Sequence, residues 1–228
     1  MGHWSLVTDT KVPVIVAIDG PGGSGKSTVA RAVARRLGYT YIDTGAMYRS
    51  VAHWALELGM DLNDMHRLDQ LAREAHIDFA DGRVLRNGVD VTAEIRRPEV
   101  SQAASKVSTI SGVRRELVRK QQEYAEYASV VMEGRDIGTK VFPAAPVKFF
   151  LDADATVRAE RRHRELVAAG HGGPMEKTYQ DLSGRDERDR TRAVAPLVPA
   201  ADARLIDTSS LRIEDVVEQM LAAVAATS

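Results

Sequence analysis

The 228-residue chain contains no cysteine. Disulfide bonds, thiolate zinc sites and cysteine nucleophiles are therefore excluded, and the sequence gives no redox information about its compartment. It also lacks an apolar run of membrane-spanning length, and residues 1–6 have neither the basic region nor the long hydrophobic segment of a secretory signal. We expect a cytoplasmic protein that does not enter a membrane.

The chain also lacks a strong net charge of either sign. The chain carries 31 basic and 32 acidic residues, and its formal net charge of −1 argues against a general electrostatic attraction to nucleic acid or to a membrane surface. With 44% hydrophobic and 28% charged residues, the composition suits a single globular domain over residues 1–228. We expect this domain to be a monomer.

Glycine, lysine and hydroxyl side chains follow the apolar run at residues 14–18 in the spacing of a P-loop. In such a loop, small residues let backbone N–H groups point at phosphate oxygens, while the lysine, here Lys26, reaches the β- and γ-phosphates. Ser27, in preference to Thr28, would hold Mg²⁺. The helical spacing of the apolar residues that follow places a helix N-terminus at the same site. The sequence therefore predicts an ATP-type phosphate site formed by Gly20, Pro21, Gly22, Gly23, Ser24, Gly25, Lys26, Ser27 and Thr28.

Strand-like segments alternate with amphipathic helical stretches, at residues 14–19, 39–43, 130–133, 147–152 and 205–207. This alternation predicts an α/β fold, a parallel sheet flanked by helices on both faces. Ligands bind such sheets at the carboxyl ends of the strands, where the sequence places Asp19, Asp43, Glu133 and Asp152. Asp19 or Asp152 could orient a metal-bound water, or both could be structural residues at strand ends.

One region departs from this alternation. Between residues 77 and 92, the dipeptides Asp81-Gly82 and Asn87-Gly88 separate short apolar segments, and two such turns predict a small antiparallel meander. Short strands of this kind would disrupt the middle of a parallel sheet. Residues 62–105 are therefore interpreted as an inserted subdomain.

Arginines are grouped at several predicted functional positions. One group lies on a predicted helix, where residues spaced by three and four share a face and could present three guanidinium groups and a carboxylate to one ligand. The competing interpretation is a solvated helix on which alternating charges compensate each other. This face consists of Arg185, Arg188, Asp189 and Arg192.

Four motifs, taken in order, resemble those of the bacterial cytidylate kinase family along nearly the whole chain. They are IDGP at residues 18–21, DTGAMYR at 43–49, GRDIGT with VFP at 134–143, and RDR with RAVAPL at 188–197. The resemblance implies phosphoryl transfer from ATP to CMP or dCMP on a P-loop nucleoside monophosphate kinase fold. Residues 62–105 would belong to the CMP-binding side, and residues 158–192 would form an arginine-rich lid and its flanking helices.

The resemblance also implies roles for individual residues. Lys26 and Mg²⁺ would stabilise the ATP phosphates, and lid arginines would meet charge that develops on the transferred group. These arginines are Arg158, Arg161, Arg162 and Arg188. The CMP phosphate would be held by Arg49, Arg135 and Arg192, the sugar by Thr44, Arg185 and Asp189, and cytosine by Ser105, Arg114 and Asp136.

Chemistry supports the assignment of the cytosine site. The Asp136 carboxylate can accept from the exocyclic amine of cytosine, while Arg114 donates to an acceptor on the ring. Uracil reverses both groups, and an unpaired buried group costs about 1–3 kcal/mol, so UMP should be the poorer substrate.

Other functions stay open at this stage. A P-loop kinase that prefers UMP or another small acceptor would share the whole donor site. A regulatory GTPase is disfavoured because the sequence has no Asn-Lys-x-Asp motif to recognise guanine. A binding module without turnover would need both nucleotide sites intact, and nothing in the sequence removes the expected phosphate contacts.

Overall fold

The computed structural model describes residues 13–80 and 82–227. Its strands are β1 (Ile15–Asp19), β2 (Thr40–Asp43), β3 (Ile77–Ala80), β4 (Arg83–Arg86), β5 (Val89–Asp90), β6 (Val130–Glu133), β7 (Val147–Asp152) and β8 (Arg204–Asp207). Its α-helices are α1 (Lys26–Leu37), α2 (Thr44–Glu57), α3 (Met65–Glu74), α4 (Pro98–Val107), α5 (Ser111–Tyr127), α6 (Ala155–Ala168), α7 (Met175–Thr191) and α8 (Ile213–Ala225). Short 3₁₀ and π-helical segments lie at Glu94–Arg96 and Ile137–Val141.

Five strands form a central parallel sheet in the order β2-β6-β1-β7-β8. Val16 and Ile18 of the middle strand pack toward α1 and α8, whereas Ala17 packs on the opposite face with residues of α5 and β6. All three are completely buried, as expected of a parallel strand covered on both faces. The predicted α/β architecture is confirmed, and each predicted strand of this sheet agrees with the structure to within one residue at either end.

β3, β4 and β5 form a separate antiparallel sheet, which confirms the predicted meander. The turn between β4 and β5 has Asn87 at φ 51° and Gly88 at φ 79°. Two successive positive φ values are what a two-residue type I′ hairpin turn requires. In the other predicted turn Gly82 follows Asp81, which lies outside the described residues.

A second hydrophobic core joins this small sheet to α2, α3, α4 and α5, with Met47, Leu68 and Leu117 fully buried in it. α2 connects the two cores because it begins directly after β2 and packs along its length against α4. The Asp43 side chain caps its N-terminus by accepting from the Ala46 N–H at 2.9 Å. The helix thus extends from the carboxyl edge of the central sheet into the second core.

α6 and α7 pack against each other and carry the arginine-rich sequence. α7 ends at Thr191, and Arg192 has extended backbone angles of φ −59° and ψ 138°. The expectation that Arg192 continues the helical face of Arg185, Arg188 and Asp189 is therefore wrong by one residue. In the part of the chain that the structure describes, no helix is both long enough and apolar enough to cross a membrane.

Candidate active site

A cavity of about 390 Å³ lies at the carboxyl ends of the central strands. Its walls come from the loop before α1, from the starts of α1 and α2, from α4 and α5, from the segment after β6, and from α6 and α7. The structure brings most of the predicted site residues together here. They are Gly22, Gly23, Gly25, Lys26, Ser27, Thr28, Thr44, Arg49, Ser105, Arg114, Arg135, Asp136, Arg162, Arg185, Asp189 and Arg192.

The loop between β1 and α1 has the backbone of an anion site. Gly23 at φ 74° and Gly25 at φ 87° are left-handed, and they alternate with residues of negative φ. Such alternation turns successive N–H groups toward one point, forming a nest for an anion. The N-terminus of α1 opens at the same place, which adds its partial positive charge.

Lys26 is buried inside this loop. Its Nζ donates to the Pro21 carbonyl oxygen at 2.6 Å and lies 3.4 Å from the Ser24 Oγ. Burial and the nearby charge of Arg135 lower the pKa of Lys26 to about 7, although the Glu133 carboxylate opposes the shift. A lysine held in this way gains strongly from a negatively charged ligand.

A substitution at Gly23 would test whether the loop depends on its close packing against α6. A Cβ at this position would lie 2.5 Å from the Arg158 carbonyl oxygen, and φ there is +74°. We expect Gly23→Ala to weaken nucleotide binding about tenfold or more, because the loop must move away from α6. The matched variant Gly38→Ala has φ +69° but no atom within 4 Å of the new Cβ, so it should cost only about 1–2 kcal/mol of stability.

Urea unfolding and calorimetric titration with ATP measure the two effects for both variants. Equal nucleotide affinity in Gly23→Ala and Gly38→Ala would show that the contact with α6 does not matter.

A second group of arginines lines the same cavity as the loop. The Arg135 Nε donates to Asp189 Oδ2 at 2.9 Å, and the Arg49 Nη2 donates to Asp43 Oδ2 at 2.8 Å. Burial and the charge of Arg135 lower the pKa of Arg185 to about 10. Three buried nitrogens of this group have no hydrogen-bond partner among the described residues: Arg49 Nε, Arg185 Nε and Arg192 Nη2. Buried guanidinium nitrogens without a hydrogen bond suit a bound anion, above all a phosphate.

The far end of the cavity carries hydrogen-bonding groups of both kinds. The Arg114 Nη2 donates to the Asp136 carboxylate, and both side chains are buried. The Arg114 guanidinium also lies 5.7 Å from the centre of the Tyr48 ring. Ser105 is buried beside them, and its Oγ accepts from the Arg188 Nε at 3.2 Å. A donor group and an acceptor group next to an aromatic ring suit a planar heterocycle.

Ser27 and Glu133 both line the cavity and supply oxygen atoms there. Burial and the Asp43 carboxylate raise the pKa of Glu133, while Lys26 and hydrogen bonds from Tyr41 and Ser27 oppose the shift. Within the described ranges no cluster of three or more acidic, histidine or cysteine side chains could hold a metal ion. A hydroxyl beside one carboxylate fits Mg²⁺, which binds through few protein ligands, keeps several waters and is held largely by substrate phosphates.

Neither aspartate considered for a metal-bound water lines the cavity. Asp19 accepts backbone N–H groups of Ile137 at 2.8 Å and Gly138 at 2.7 Å, so it fixes the π-helical segment after β6. Burial raises the pKa of Asp19 to about 6. Asp152 accepts from the neighbouring Ala153 N–H at 2.8 Å. Both have structural contacts at strand ends.

Six predicted site residues do not line the cavity: Gly20, Pro21, Ser24, Arg158, Arg161 and Arg188. The first three form the back of the phosphate loop. Conversely, Asp43, Tyr48 and Glu133 line the cavity although the sequence analysis gave none of them a role in binding. For Asp43 and Glu133 a signal was present, since both end predicted strands, and they lie opposite each other in the register of β2 and β6. Tyr48 is adjacent to Arg49 in the same motif.

The central sheet is parallel and covered by helices, and its P-loop lines the same cavity as a group of buried arginines that suit an anion. Together these features define a P-loop phosphotransferase. The family model described as cytidylate kinase matches residues 16–226, and the chain belongs to this family.

Similar proteins agree with this membership. A cytidylate kinase of Solibacter usitatus is 53% identical over 218 residues, which are 94% of this chain and 94% of that protein. One of Pelotomaculum thermopropionicum is 49% identical over 216 residues, covering 92% of this chain and 96% of its own length. The crystal structure of an uncharacterized protein from Eubacterium ventriosum matches with a TM-score of 0.50 at 12% identity, over 93% of this chain and 99% of that one, and supports the fold alone.

Proposed function

We propose that this chain transfers the γ-phosphoryl group of ATP to CMP or dCMP, giving ADP and CDP or dCDP. The observation that carries the proposal is a single cavity lined by the P-loop and by buried arginines, three of whose nitrogens make no hydrogen bond to the described residues. Membership of the cytidylate kinase family favours CMP over UMP or a non-nucleotide acceptor.

The P-loop would hold the ATP phosphates. Backbone N–H groups between Gly22 and Gly25 would bind the α- and β-phosphates, and Lys26 would leave the Pro21 carbonyl to reach the β- and γ-phosphates. Ser27 would hold Mg²⁺, and Glu133, which lines the same cavity, would bind a water of the ion. When bound, Mg²⁺ neutralises negative charge on the β- and γ-phosphates.

The CMP phosphate would bind Arg49, Arg135 and Arg192, all of which line the cavity. The unpaired nitrogens of Arg49 and Arg192 would each gain a charge-assisted hydrogen bond. Thr44, Arg185 and Asp189 would lie near the sugar. Thr44 already donates its hydroxyl to the Glu133 carbonyl oxygen at 2.7 Å, which leaves its oxygen free to accept from the ligand.

Cytosine would bind at the far end of the cavity. Asp136 would accept from the exocyclic amine, Arg114 would donate to a ring acceptor, and Ser105 would complete the polar edge. The Tyr48 ring, which lies under the Arg114 guanidinium, would support the plane of that group. Residues 62–105, which include Ser105 of α4, would therefore act as the CMP-binding subdomain.

The reaction needs no strong general base because the attacking CMP phosphate oxygen is already anionic. Catalysis would consist of positioning and charge neutralisation for in-line transfer. Lys26 and the lid residue Arg162, which lines the cavity, would meet charge on the transferred group. Residues 158–192 would exclude water when they close over the nucleotides and so prevent ATP hydrolysis. We further propose that the enzyme works as a monomer in the cytoplasm.

The test is Mg²⁺-dependent ADP formation from ATP with CMP, dCMP, UMP, AMP, GMP or shikimate, and with no acceptor. We expect turnover with CMP and dCMP, weak turnover with UMP, and none without an acceptor. Preference for another acceptor would refute the cytosine site but keep the donor site. Equal ADP formation with and without acceptors would identify an NTPase instead.

A further inference from the structure

We propose that Arg158 and Arg161 of α6 are positioning residues that hold the P-loop from behind, so that its N–H groups face the nucleotide phosphates. This inference rests on the proposed function, since it concerns the same ATP site. It also reassigns two arginines that the sequence placed in the lid, next to the transferred group. The two residues are three positions apart on α6 and therefore share one face of it.

Arg158 acts on the loop directly. It is buried, with 4% of its surface exposed, and its Nη1 donates to the Gly22 carbonyl oxygen at 3.1 Å. In a trans peptide the C=O and the following N–H point in opposite directions. Because the Gly22 carbonyl is held toward α6, the Gly23 N–H is turned away from α6, toward the phosphate side of the loop.

Arg161 acts through Thr208. Its Nη1 donates to the Thr208 Oγ1 at 3.0 Å, and its Nη2 donates to the Thr208 carbonyl oxygen at 2.6 Å. An arginine can only donate, so the Thr208 hydroxyl must accept on that side and has its own hydrogen free for another partner. The nearer acceptor is the Ser24 carbonyl oxygen at 2.9 Å, while the Asp152 carbonyl oxygen lies at 3.1 Å.

The peptide after Ser24 is oriented in the same way as the peptide after Gly22. With its carbonyl held by Thr208, the next N–H, that of Gly25, is turned the opposite way. The two supported peptides thus precede Gly23 and Gly25, the two left-handed residues of the nest. A nest whose carbonyls were free to rotate would present oxygen atoms to the phosphates and repel them.

Asp186 connects this support to the lid. Its buried carboxylate accepts from the Arg158 Nη1, so the guanidinium that holds Gly22 also binds α7. On the opposite side the Arg158 Nε donates to the Ala153 carbonyl oxygen at 2.9 Å. These contacts use three of the five guanidinium N–H groups and hold Arg158 between the loop and α7, and Arg158 does not line the cavity.

Direct catalysis and positioning of the nest, the two possible roles of these arginines, predict different effects on ADP affinity. Removing a group that meets the transferred phosphoryl lowers kcat and leaves ADP affinity unchanged, because ADP lacks that phosphoryl. Removing a group that positions the nest lowers ADP affinity, because the nest binds the α- and β-phosphates. ADP affinity, measured by calorimetry with Mg²⁺ present, therefore separates positioning from direct catalysis.

The variants are chosen so that the fold is preserved. Thr208→Val keeps the shape and removes only the hydroxyl, and we expect ADP to bind about three- to tenfold more weakly. Arg158→Met combined with Asp186→Leu removes both buried charges together, and we expect a loss of about tenfold or more. Arg164→Met, at an exposed position on the same helix, is the matched control and should leave ADP affinity unchanged.

KM for CMP should stay within about twofold in all three variants, since the acceptor site is not touched. Thermal unfolding checks that each variant is folded. Unchanged ADP affinity in Thr208→Val and in the double variant, with or without a fall in kcat, would overturn the inference. A wild-type chain that does not bind ADP would refute the proposed function itself.

Discussion

Asp136→Asn is expected to reduce the preference for CMP over UMP, measured as the ratio of the two kcat/KM values, by about 10- to 100-fold. The carboxylate can only accept hydrogen bonds, so it suits the amine of cytosine and leaves the carbonyl oxygen of uracil unpaired. An asparagine can turn either its oxygen or its amide nitrogen toward the base. It can therefore pair with either pyrimidine, and the discrimination is lost.

The matched control for Asp136→Asn is Arg135→Met. Arg135 is adjacent in the sequence, but its Nε donates to Asp189 and it belongs to the phosphate end of the cavity. This control should lower kcat/KM for CMP and UMP by the same factor, because the two acceptors share their phosphate. Because Asp136→Asn breaks a buried pair with Arg114, unfolding by urea must confirm that the variant is folded at the assay temperature. An equal loss for both substrates in Asp136→Asn would contradict the assignment of cytosine recognition.

Lys26→Met is expected to lower kcat by about 10²- to 10³-fold, because a buried cation directed at the transferred phosphate is lost. Methionine fills nearly the same space, so the effect comes from charge and not from packing. Rapid-quench measurement of the first turnover with saturating ATP and CMP gives the rate of the chemical step. A rate close to that of the wild type would remove Lys26 from the catalytic residues.

pH dependence gives Lys26→Met a second readout. The pKa of Lys26 is about 7 in the ligand-free chain, and ATP phosphates would raise it by favouring the charged form. Above about pH 7 the lysine must take up a proton for ATP to bind, so wild-type affinity should fall as the pH rises toward about 9. Lys26→Met should lack this part of the pH dependence. Parallel profiles for the two proteins would show that Lys26 does not titrate in this range.

The sequence predicted the central sheet well because its signals are local. Runs of β-branched residues between amphipathic helices identify buried parallel strands, and the register then follows from packing. The Asn87-Gly88 turn was equally informative, since few other residues accept two positive φ values. The end of α7 was missed by one residue because nothing in the local sequence marks Thr191 as the last helical residue.

The site was harder to predict where it depends on contacts between residues that are far apart in the sequence. Periodicity places Arg158, Arg161 and Arg162 on one helix, but it cannot say which of them faces the cavity. In the structure Arg162 does, whereas Arg158 contacts the back of the P-loop and Arg161 contacts Thr208, which holds the loop at Ser24. The partners that decide this, Asp186 and Thr208, are 28 and 47 residues away in the chain. Such contacts arise from the packing of α6 against α7 and from its hydrogen bonds to Thr208, directly after β8, which no local pattern reveals.

The central claim is that this cavity selects cytosine monophosphates as phosphoryl acceptors. A direct competition tests it: equal concentrations of CMP and UMP compete for the wild-type enzyme with ATP and Mg²⁺, and the early ratio of CDP to UDP is measured by chromatography. This ratio equals the ratio of the two kcat/KM values, and the proposed cytosine contacts predict that CDP exceeds UDP by about tenfold or more. Equal amounts of the two products, or an excess of UDP, would contradict it.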